Sequence, residues 1–333
     1  MRIAKLFLCF APLSMAGCGG DTGEASTAAP GLPVIVYAAR DAASIQSVLN
    51  EYTRNTGVNV GLTTNSGRAL IDRLVAEKHT STADLVLTDG IGYLWSATEN
   101  DILRPGNSDL LNDRIPENLR DPDNFWVALL VVARTIVYDK SSIDPDDLSS
   151  YAALGDERWR ERLCLTSKSL SRNQSHVAMM IMEHGDRPAE LIIRSWTANL
   201  AIPMLADDAE LLRVIDDGRC SLGIVNSDVA ARHVRDNPDT KVARHLPTAS
   251  DGGSYINIVG AAVTRHAGNA EGALQLLEWL SSVNGQAALA GESLEYRLDE
   301  YVPADQNSSI SLAGAGYYLE DAVKLMERAH WDR

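Results

Sequence analysis

The sequence predicts an α/β protein built from two lobes, and three observations support this prediction. From Pro33 onward, short apolar strands alternate with amphipathic helices, which is the pattern of a parallel sheet covered by helices. A second series of strands and helices begins after Trp126 and indicates another lobe. Roughly 300 residues follow the N-terminal leader, which is enough for two medium-sized α/β domains with substantial cores.

The elements follow one another in a regular order. In the first series the predicted strands PVIVYAA, VNVGLTT and ADLVLTD are separated by the predicted helices DAASIQSVLNEYTRNTG and GRALIDRLVAEKH. The second series has the long apolar segment WVALLVVARTIVYD, the strand RLCLTS and the helices NQSHVAMMIMEHG and PAELIIRSWTANL. The helix DAELLRVIDDG then leads into the strand CSLGIVNS, and SYINIVGAAVT predicts a further strand before the C-terminal helices.

The first twenty residues, MRIAKLFLCFAPLSMAGCGG, have the pattern of a secretion signal. Their apolar run is shorter than the roughly 20 residues of a spanning helix. The segment Ala16-Gly17-Cys18 resembles the bacterial lipobox, so we predict a lipoprotein signal over residues 1–18 with Cys18 lipidated. Ordinary cleavage near Ala16 is the alternative. Residues 19–33 are small, polar and proline-bearing, and we predict a flexible tether there.

Charge and cysteine content narrow the classes of function. The formal net charge of −15 argues against nucleic acid as a partner, because phosphate backbones require a basic face. Of four cysteines, Cys9 would be removed with the signal and Cys18 would carry lipid. The two that remain, Cys164 and Cys220, more often pair than stay free in an exported protein.

No common catalytic motif is present. The sequence has no glycine-rich phosphate loop, no G-x-S-x-G elbow and no H-E-x-x-H, and its seven histidines show no pair at metal-ligand spacing. Asp121 and Asp123 in RDPDNFW mimic the start of a calcium loop, but the required glycine and closing glutamate are absent, which favours a turn. We therefore predict that the protein is not an enzyme.

Binding residues are expected just after strands, because open parallel sheets bind ligands outside the carboxyl ends of their strands. The positions that meet this rule are Arg40 and Asp41, Thr88 and Asp89, residues 167–174, and Ser227 and Asp228.

Many segments together resemble the ferric-iron-binding periplasmic proteins of bacterial iron ABC transporters. They are VYAAR, TGVNV, ADLVLTDGIGYLW, IPENLRDPDNFW, ARTIVYDK, SSYAALGDERWRERLCLTS, RNQS, the Gly-Arg-Cys before SLGIVN, and YINIVGAAVT. The resemblance implies a type II periplasmic-binding-protein fold, with two lobes of doubly wound mixed sheet joined by a two-strand hinge. It implies that residues 34–133 with 257–333 form the first lobe and residues 134–256 the second, and that Cys164 and Cys220 pair.

By the same resemblance the protein is a periplasmic, membrane-anchored substrate-binding lipoprotein of an ABC importer. Its expected partners are a permease, an ATPase and a small solute, and it is expected to be a monomer. No cofactor is predicted, since ferric iron would be a transported ligand. A sensor or assembly lipoprotein that uses the same fold without transport is the second function considered.

The cleft of this chain departs from the family at its iron ligands. The family's tyrosine before NQS is Arg172 here, and its Tyr-Tyr pair after the VN strand is Asp228 and Val229. The His and Tyr that often follow the first strand's Arg are Asp41 and Ala42. A guanidinium repels a nearby cation and binds carboxylate or phosphate, so Arg172 predicts an organic anion, a zwitterion or a chelate. Asp228 is a candidate ion-pair partner of Arg172 across the cleft, and the alternative to solute binding is that this pair only fills an inactive site.

The resemblance also maps other residues to the cleft. Arg40 matches the family's cleft arginine, and Asn173, Gln174 and Ser175 match its NQS. Tyr255 and Asn257 lie at the second hinge strand, although Tyr255 could equally be a packing residue. The predicted ligand-binding set is Arg40, Asp41, Asp89, Arg172, Asn173, Gln174, Asp228, Tyr255 and Asn257. If iron itself is bound, the expected carboxylate ligands are Asp41, Asp89 and Asp228.

Overall fold

The computed structural model describes residues 31–248, 252–291, 296–298 and 312–332, so the predicted signal, Cys18 and most of the tether lie outside the described residues. The strands are β1 (Val34–Ala38), β2 (Val60–Thr64), β3 (Leu85–Thr88), β4 (Val127–Asp139), β5 (Leu163–Cys164), β6 (Leu222–Asn226), β7 (Val242–His245), β8 (Ile256–Val263) and β9 (Tyr296–Arg297). The helices are α1 (Ala42–Thr56), α2 (Gly67–Glu77), α3 (Ile91–Glu99), α4 (Asp109–Arg114), α5 (Ser171–His184), α6 (Asp186–Ala198), α7 (Asp208–Asp216), α8 (Ser227–Asp236), α9 (Ala270–Leu280), α10 (Val283–Ala290), α11 (Leu312–Gly316) and α12 (Leu319–Arg328). No helix among these is long and apolar enough to cross a membrane.

The strands form a mixed sheet in the order β2-β1-β3-β8-β4-β6-β5, and β7 and β9 also pair with β4. β1 is parallel to β2 and to β3, because helices α1 and α2 carry the chain back between them. β8 is antiparallel to both β3 and β4. The predicted α/β fold class is therefore confirmed, with a mixed sheet.

β4 connects the two halves of the sheet. All 13 of its residues are buried, which explains the long apolar segment in the sequence. Its first half pairs with β8, ending at Ala133 opposite Ile256, and its second half pairs with β6, beginning at Arg134 opposite Asn226. β4 and β8 are thus the strands of the two-strand hinge.

The buried apolar side chains form separate cores on the two sides of this hinge. The first core contains side chains of β1, β3, β8, α1, α3 and α9. The second core contains side chains of α5, α6 and α12 together with those of β6. A smaller cluster surrounds the disulfide between Cys164 and Cys220, which confirms the predicted pairing.

The C-terminal helices differ from the prediction that placed residues 257–333 in the first lobe. Leu312 and Ala313 of α11 pack in the first core, but Ala315 packs in the second. The apolar face of α12, which includes Leu325 and Met326, also packs in the second core, against α5 and α6. An amphipathic helix fixes which face is buried without saying which core receives it. The other lobe boundaries remain predictions.

Local sequence explains where the elements begin and end. Asp41 precedes α1 and its carboxylate accepts a hydrogen bond from the Ser44 amide, while Gly57 ends α1 in the left-handed region at φ 76°. Asp207 caps α7 in the same way through the Glu210 amide. Asp121 accepts hydrogen bonds from the amides of Asp123 and Phe125, so the predicted turn is confirmed.

Candidate functional site

A cleft of about 860 Å³ lies between two groups of polar residues. One group, here named the strand wall, consists of Arg40 and Asp41 after β1 and Asp89 after β3. The other group, here named the helix wall, lies at the N-terminal ends of α5, α7 and α8 and consists of Arg172, Asp207, Asp208, Asn226 and Asp228. Val132 of β4 and Asn257, Ile258 and Val259 of β8 also line the cleft.

The strand wall is positioned by contacts with nearby backbone. Asp41 accepts a hydrogen bond from the Ser44 amide at 2.9 Å, and this bond lowers the pKa of the Asp41 carboxyl below its usual value. The side-chain oxygen of Asn257 accepts hydrogen bonds from the amides of Ile91 and Ile258. Asn257 therefore fixes the start of α3, directly after the segment that carries Asp89.

On the helix wall, Arg172 is paired with Asp208. Its Nε–H donates to Asp208 Oδ1 at 3.1 Å, and the Arg172 side chain is 20% exposed whereas that of Asp208 is only 3% exposed. The second oxygen of Asp208 accepts a hydrogen bond from the Asn226 amide at 2.9 Å. Asp208 thereby holds the Arg172 guanidinium at the edge of the cleft.

A second arginine shares the same carboxylate. Arg134, whose side chain is 1% exposed, has its Nη1 3.6 Å from Asp208 Oδ2. Burial is the main reason that the pKa of Arg134 is lowered, and Arg172 adds to that lowering while Asp208 opposes it. Arg134, Arg172 and Asp208 form a cluster of two guanidinium groups around one carboxylate, and Arg172 is its more exposed cation.

Asp228 is paired along its own helix. Arg232, one turn further on α8, places its Nη2 3.3 Å from Asp228 Oδ2. The sequence suggests Asp228 as the partner of Arg172, but the carboxylate that receives the Arg172 Nε–H is that of Asp208. Asp208 lies at the start of α7, beside the start of α5, which explains the difference.

Six of the nine predicted ligand-binding residues line the cleft, namely Arg40, Asp41, Asp89, Arg172, Asp228 and Asn257. The other three bind protein groups away from the lining. Asn173 is buried, accepting from Arg134 and donating to Thr166 and Ser167, and the Gln174 amide donates to the Lys168 carbonyl. The Tyr255 hydroxyl donates to Glu183 and its ring stacks on Tyr151. These contacts correspond to the packing role that the sequence left open for Tyr255.

The sequence reasoning missed Asp207, Asp208, Asn226 and Arg134. Asp207 is the N-cap of α7 and Asp208 is its first residue; α7 does not directly follow a strand, so the strand-end rule could not find them. Asn226 is the last residue of β6, and its position at a strand end is the signal that identifies it. Arg134 lies within an apolar segment, where one charged residue was itself a signal of a buried ion pair.

The side-chain oxygen donors among the described lining residues are carboxylates, amides and serine hydroxyls rather than phenols. No tyrosine is among the described residues that line the cleft. The part of the chain that the structure describes contains no group of three or more His, Cys, Asp or Glu side chains arranged to hold a metal ion. Arginine and aspartate side chains thus dominate the polar lining.

The chain is similar to known binding proteins over most of its length. The model of the family described as bacterial extracellular solute-binding protein matches residues 34–292. Iron uptake protein A1 of Synechocystis sp. is 29% identical, over 96% of this chain and 93% of that protein. Iron uptake protein A2 of the same organism is 30% identical, over 82% of this chain and 84% of that protein.

Solved structures give the same result. FutA of Trichodesmium, in complex with iron and citrate, has a TM-score of 0.84 at 32% identity and covers 90% of this chain and 99% of that chain. Ferric iron-binding protein A of Mannheimia haemolytica, in an open conformation, has a TM-score of 0.81 at 25% identity with the same coverage. The chain belongs to the bacterial extracellular solute-binding proteins, in the group that contains the iron uptake and ferric iron-binding proteins.

Proposed function

We propose that the protein is the periplasmic substrate-binding component of an ABC importer and that its cleft captures ferric iron as a chelate with a small polycarboxylate such as citrate. Membership of the solute-binding family supports the importer role. The similarity to iron uptake proteins, one of which was solved with iron and citrate, supports the choice of cargo. The observation that carries the proposal is the partly exposed Arg172 guanidinium in the cleft lining, with Arg134 buried behind it.

The cluster provides the anion-binding half of the site. Arg172 uses its Nε–H on Asp208, and Arg134 supplies a second positive charge behind it. A guanidinium binds carboxylates through charge-assisted hydrogen bonds in a fixed planar geometry. A carboxylate of the chelate would therefore face Arg172.

The Arg172 guanidinium disfavours a bare metal ion placed directly beside it. At an effective dielectric constant of about 20, two like unit charges 4 Å apart repel by about 4 kcal/mol. Ferric iron carries three charges, so the repulsion from Arg172 would be correspondingly larger at that distance. A polycarboxylate shell removes this cost, because it surrounds the metal with negative oxygen atoms that attract the guanidinium.

The strand wall suits the other side of such a solute. Asp41 and Asp89 offer carboxylate oxygens, which are the donors that hard cations prefer, and Arg40 also lines the cleft. In our proposal the two lobes close on the chelate by bending at β4 and β8, as hinged binding proteins do. The protein then delivers it to a permease and its ATPase, while lipid on Cys18 anchors the protein to the membrane.

The test is isothermal titration calorimetry of the purified protein with ferric citrate, iron-free citrate and a ferric salt kept soluble by a weak ligand. Ferric citrate should bind tightest. Arg172→Met should weaken that binding by about 10- to 100-fold, since a hydrogen bond to a charged group contributes about 1.5–3 kcal/mol. The matched control is Arg194→Met on α6, where an exposed arginine pairs with Glu190 outside the lining.

Two results would contradict the proposal. Equal affinity for ferric iron with and without citrate would mean that protein carboxylates bind the ion directly. Equal affinity for citrate with and without iron would mean that the cargo is an organic anion.

A further inference from the structure

Arg134 occupies a special position in the fold. It lies at the residue of β4 where pairing with β8 ends and pairing with β6 begins, and its amide donates to the Tyr255 carbonyl at 2.8 Å. Its side chain is buried and does not line the cleft. A fully buried arginine is costly unless several acceptors compensate it, so its contacts indicate its role.

The guanidinium of Arg134 reaches the beginnings of three helices. Its Nη2 donates to Asn173 Oδ1 of α5 at 3.0 Å, and its Nη1 donates to Asn226 Oδ1 at 2.6 Å. Asn226 is the N-cap residue of α8, and Asp208, 3.6 Å from Nη1, is the first residue of α7. Each of these helices contributes a charged residue to the helix wall at or near the same end, namely Arg172, Asp208 and Asp228.

We infer that Arg134 is a positioning residue for the solute site. It holds the N-terminal ends of α5, α7 and α8 together and thereby fixes the position of the Arg172 side chain in the cleft. The role in holding the helix ends follows from the contacts alone. The effect on affinity rests on the proposed function, because it needs a solute that Arg172 binds.

Arginine is suited to this role by its shape. The planar fork presents several N–H groups in fixed directions, and Arg134 uses Nη1 and Nη2 on acceptors from different helices. Nη2 also lies 3.4 Å from the Ile224 carbonyl of β6. A lysine keeps the charge but ends in one compact ammonium group, so it cannot serve the same acceptors at once. Arg134→Lys thus removes the arrangement while keeping the charge.

The first experiment uses hydrogen exchange with mass spectrometry on the ligand-free protein. In Arg134→Lys, peptides that cover residues 171–175, 208–212 and 227–231 should exchange about tenfold faster than in the unchanged protein. Peptides of α6 should not change. Arg244→Lys on β7 is the matched control, because this exposed arginine lies on another strand paired with β4. Unchanged exchange at all three helix ends would overturn the inference.

The second experiment measures affinity in a double-mutant cycle. Arg134→Lys should weaken ferric citrate binding about tenfold alone but less than about threefold in the Arg172→Met background, because coupled residues give non-additive effects. Additive losses would mean that Arg134 only stabilises the fold, and would overturn the positioning role. If the unchanged protein does not bind ferric citrate, the proposed function fails, and the exchange experiment still decides the role of Arg134.

Discussion

The two walls of the cleft are held in place by different kinds of contact. On the strand wall, Arg40 and Asp41 directly follow β1, and Asp41 binds the amide of Ser44 only three residues away. On the helix wall, Arg172 binds Asp208 across 36 residues of sequence, and Arg134 reaches Asn226 across 92. The contact that holds Asp41 is local, whereas the helix wall depends on the packing of distant elements.

This difference has a consequence for substitutions. A change at Asp41 should affect the start of α1, because its carboxylate binds an amide of that helix. A change on the helix wall should affect three helices and the buried charges between them. The following predictions test this contrast, from the largest expected effect to the smallest.

The largest expected effect on stability comes from the disulfide, which ties α7, the helix that begins at Asp208, to the sheet. Cys164 ends β5 and Cys220 follows α7, so the bond ties the far end of the Asp208 helix to the sheet across 56 residues. Replacing both cysteines by alanine should lower the free energy of unfolding by about 4 kcal/mol, through the larger entropy of the unfolded chain. Urea unfolding measures this loss. A loss under about 1 kcal/mol would show that the packing around α7 is sufficient without the bond.

Removing the Asp208 carboxylate should have the next largest effect on the free energy of unfolding. Asp208→Asn removes the negative charge between Arg134 and Arg172, leaving a buried guanidinium without its counterion. The free energy of unfolding should fall by about 3 kcal/mol in urea titrations, which is typical when one partner of a buried pair is lost.

The control for that prediction is Asp147→Asn. Asp147 pairs with Arg158, and these side chains are 54% and 48% exposed, so solvent screens the pair. The loss should be below about 1 kcal/mol. Similar losses for Asp208→Asn and Asp147→Asn would contradict the distinction between a buried helix wall and an ordinary surface pair.

On the strand wall, substitution of Asp41 should have a small effect on Tm that arises at the start of α1. Asp41→Ala removes the N-cap of α1 and should lower Tm by a few degrees, whereas Asp41→Asn should be nearly neutral because asparagine also caps helices. Differential scanning calorimetry at neutral pH makes this comparison. A drop in Tm for Asp41→Asn as large as for Asp41→Ala would mean that its charge, rather than its hydrogen bond, is what matters.

The Asp41→Asn variant also gives a pH signature. The folded-state pKa of Asp41 is lowered by the Ser44 amide, so its contribution to stability is complete above the unfolded pKa of 3.8 and is lost as the pH falls through the folded value. The asparagine side chain of the variant does not titrate. The Tm of the Asp41→Asn variant relative to the unchanged protein should therefore stay constant above about pH 5 and rise below about pH 4. No change in this difference across that range would contradict the assigned hydrogen bond.

The local and non-local contacts also explain what could be predicted from sequence. The alternation of strands and helices gave the α/β fold, and the strand-end rule located Arg40, Asp41, Asp89 and Asp228, all of which line the cleft. These positions depend only on where a strand ends. The resemblance to iron-binding proteins added Arg172, which also lines it, and supported the pairing of Cys164 with Cys220.

What could not be predicted depends on tertiary contacts. Asp208 begins a helix rather than following a strand, and its role appears only when the starts of α5 and α7 come together in the fold. Asn173 aligns with a family motif, but in this fold its amide binds Arg134 and Thr166. The amphipathic pattern of α12 predicted a buried face without identifying the core that receives it.

The most direct test of the central claim is a crystal structure of the protein grown with ferric citrate, with iron located by anomalous scattering. We predict one iron site between the strand wall and the helix wall, coordinated by citrate, with a citrate carboxylate at hydrogen-bonding distance from the Arg172 guanidinium. An iron ion coordinated only by protein side chains and water, with no citrate at Arg172, would contradict the account.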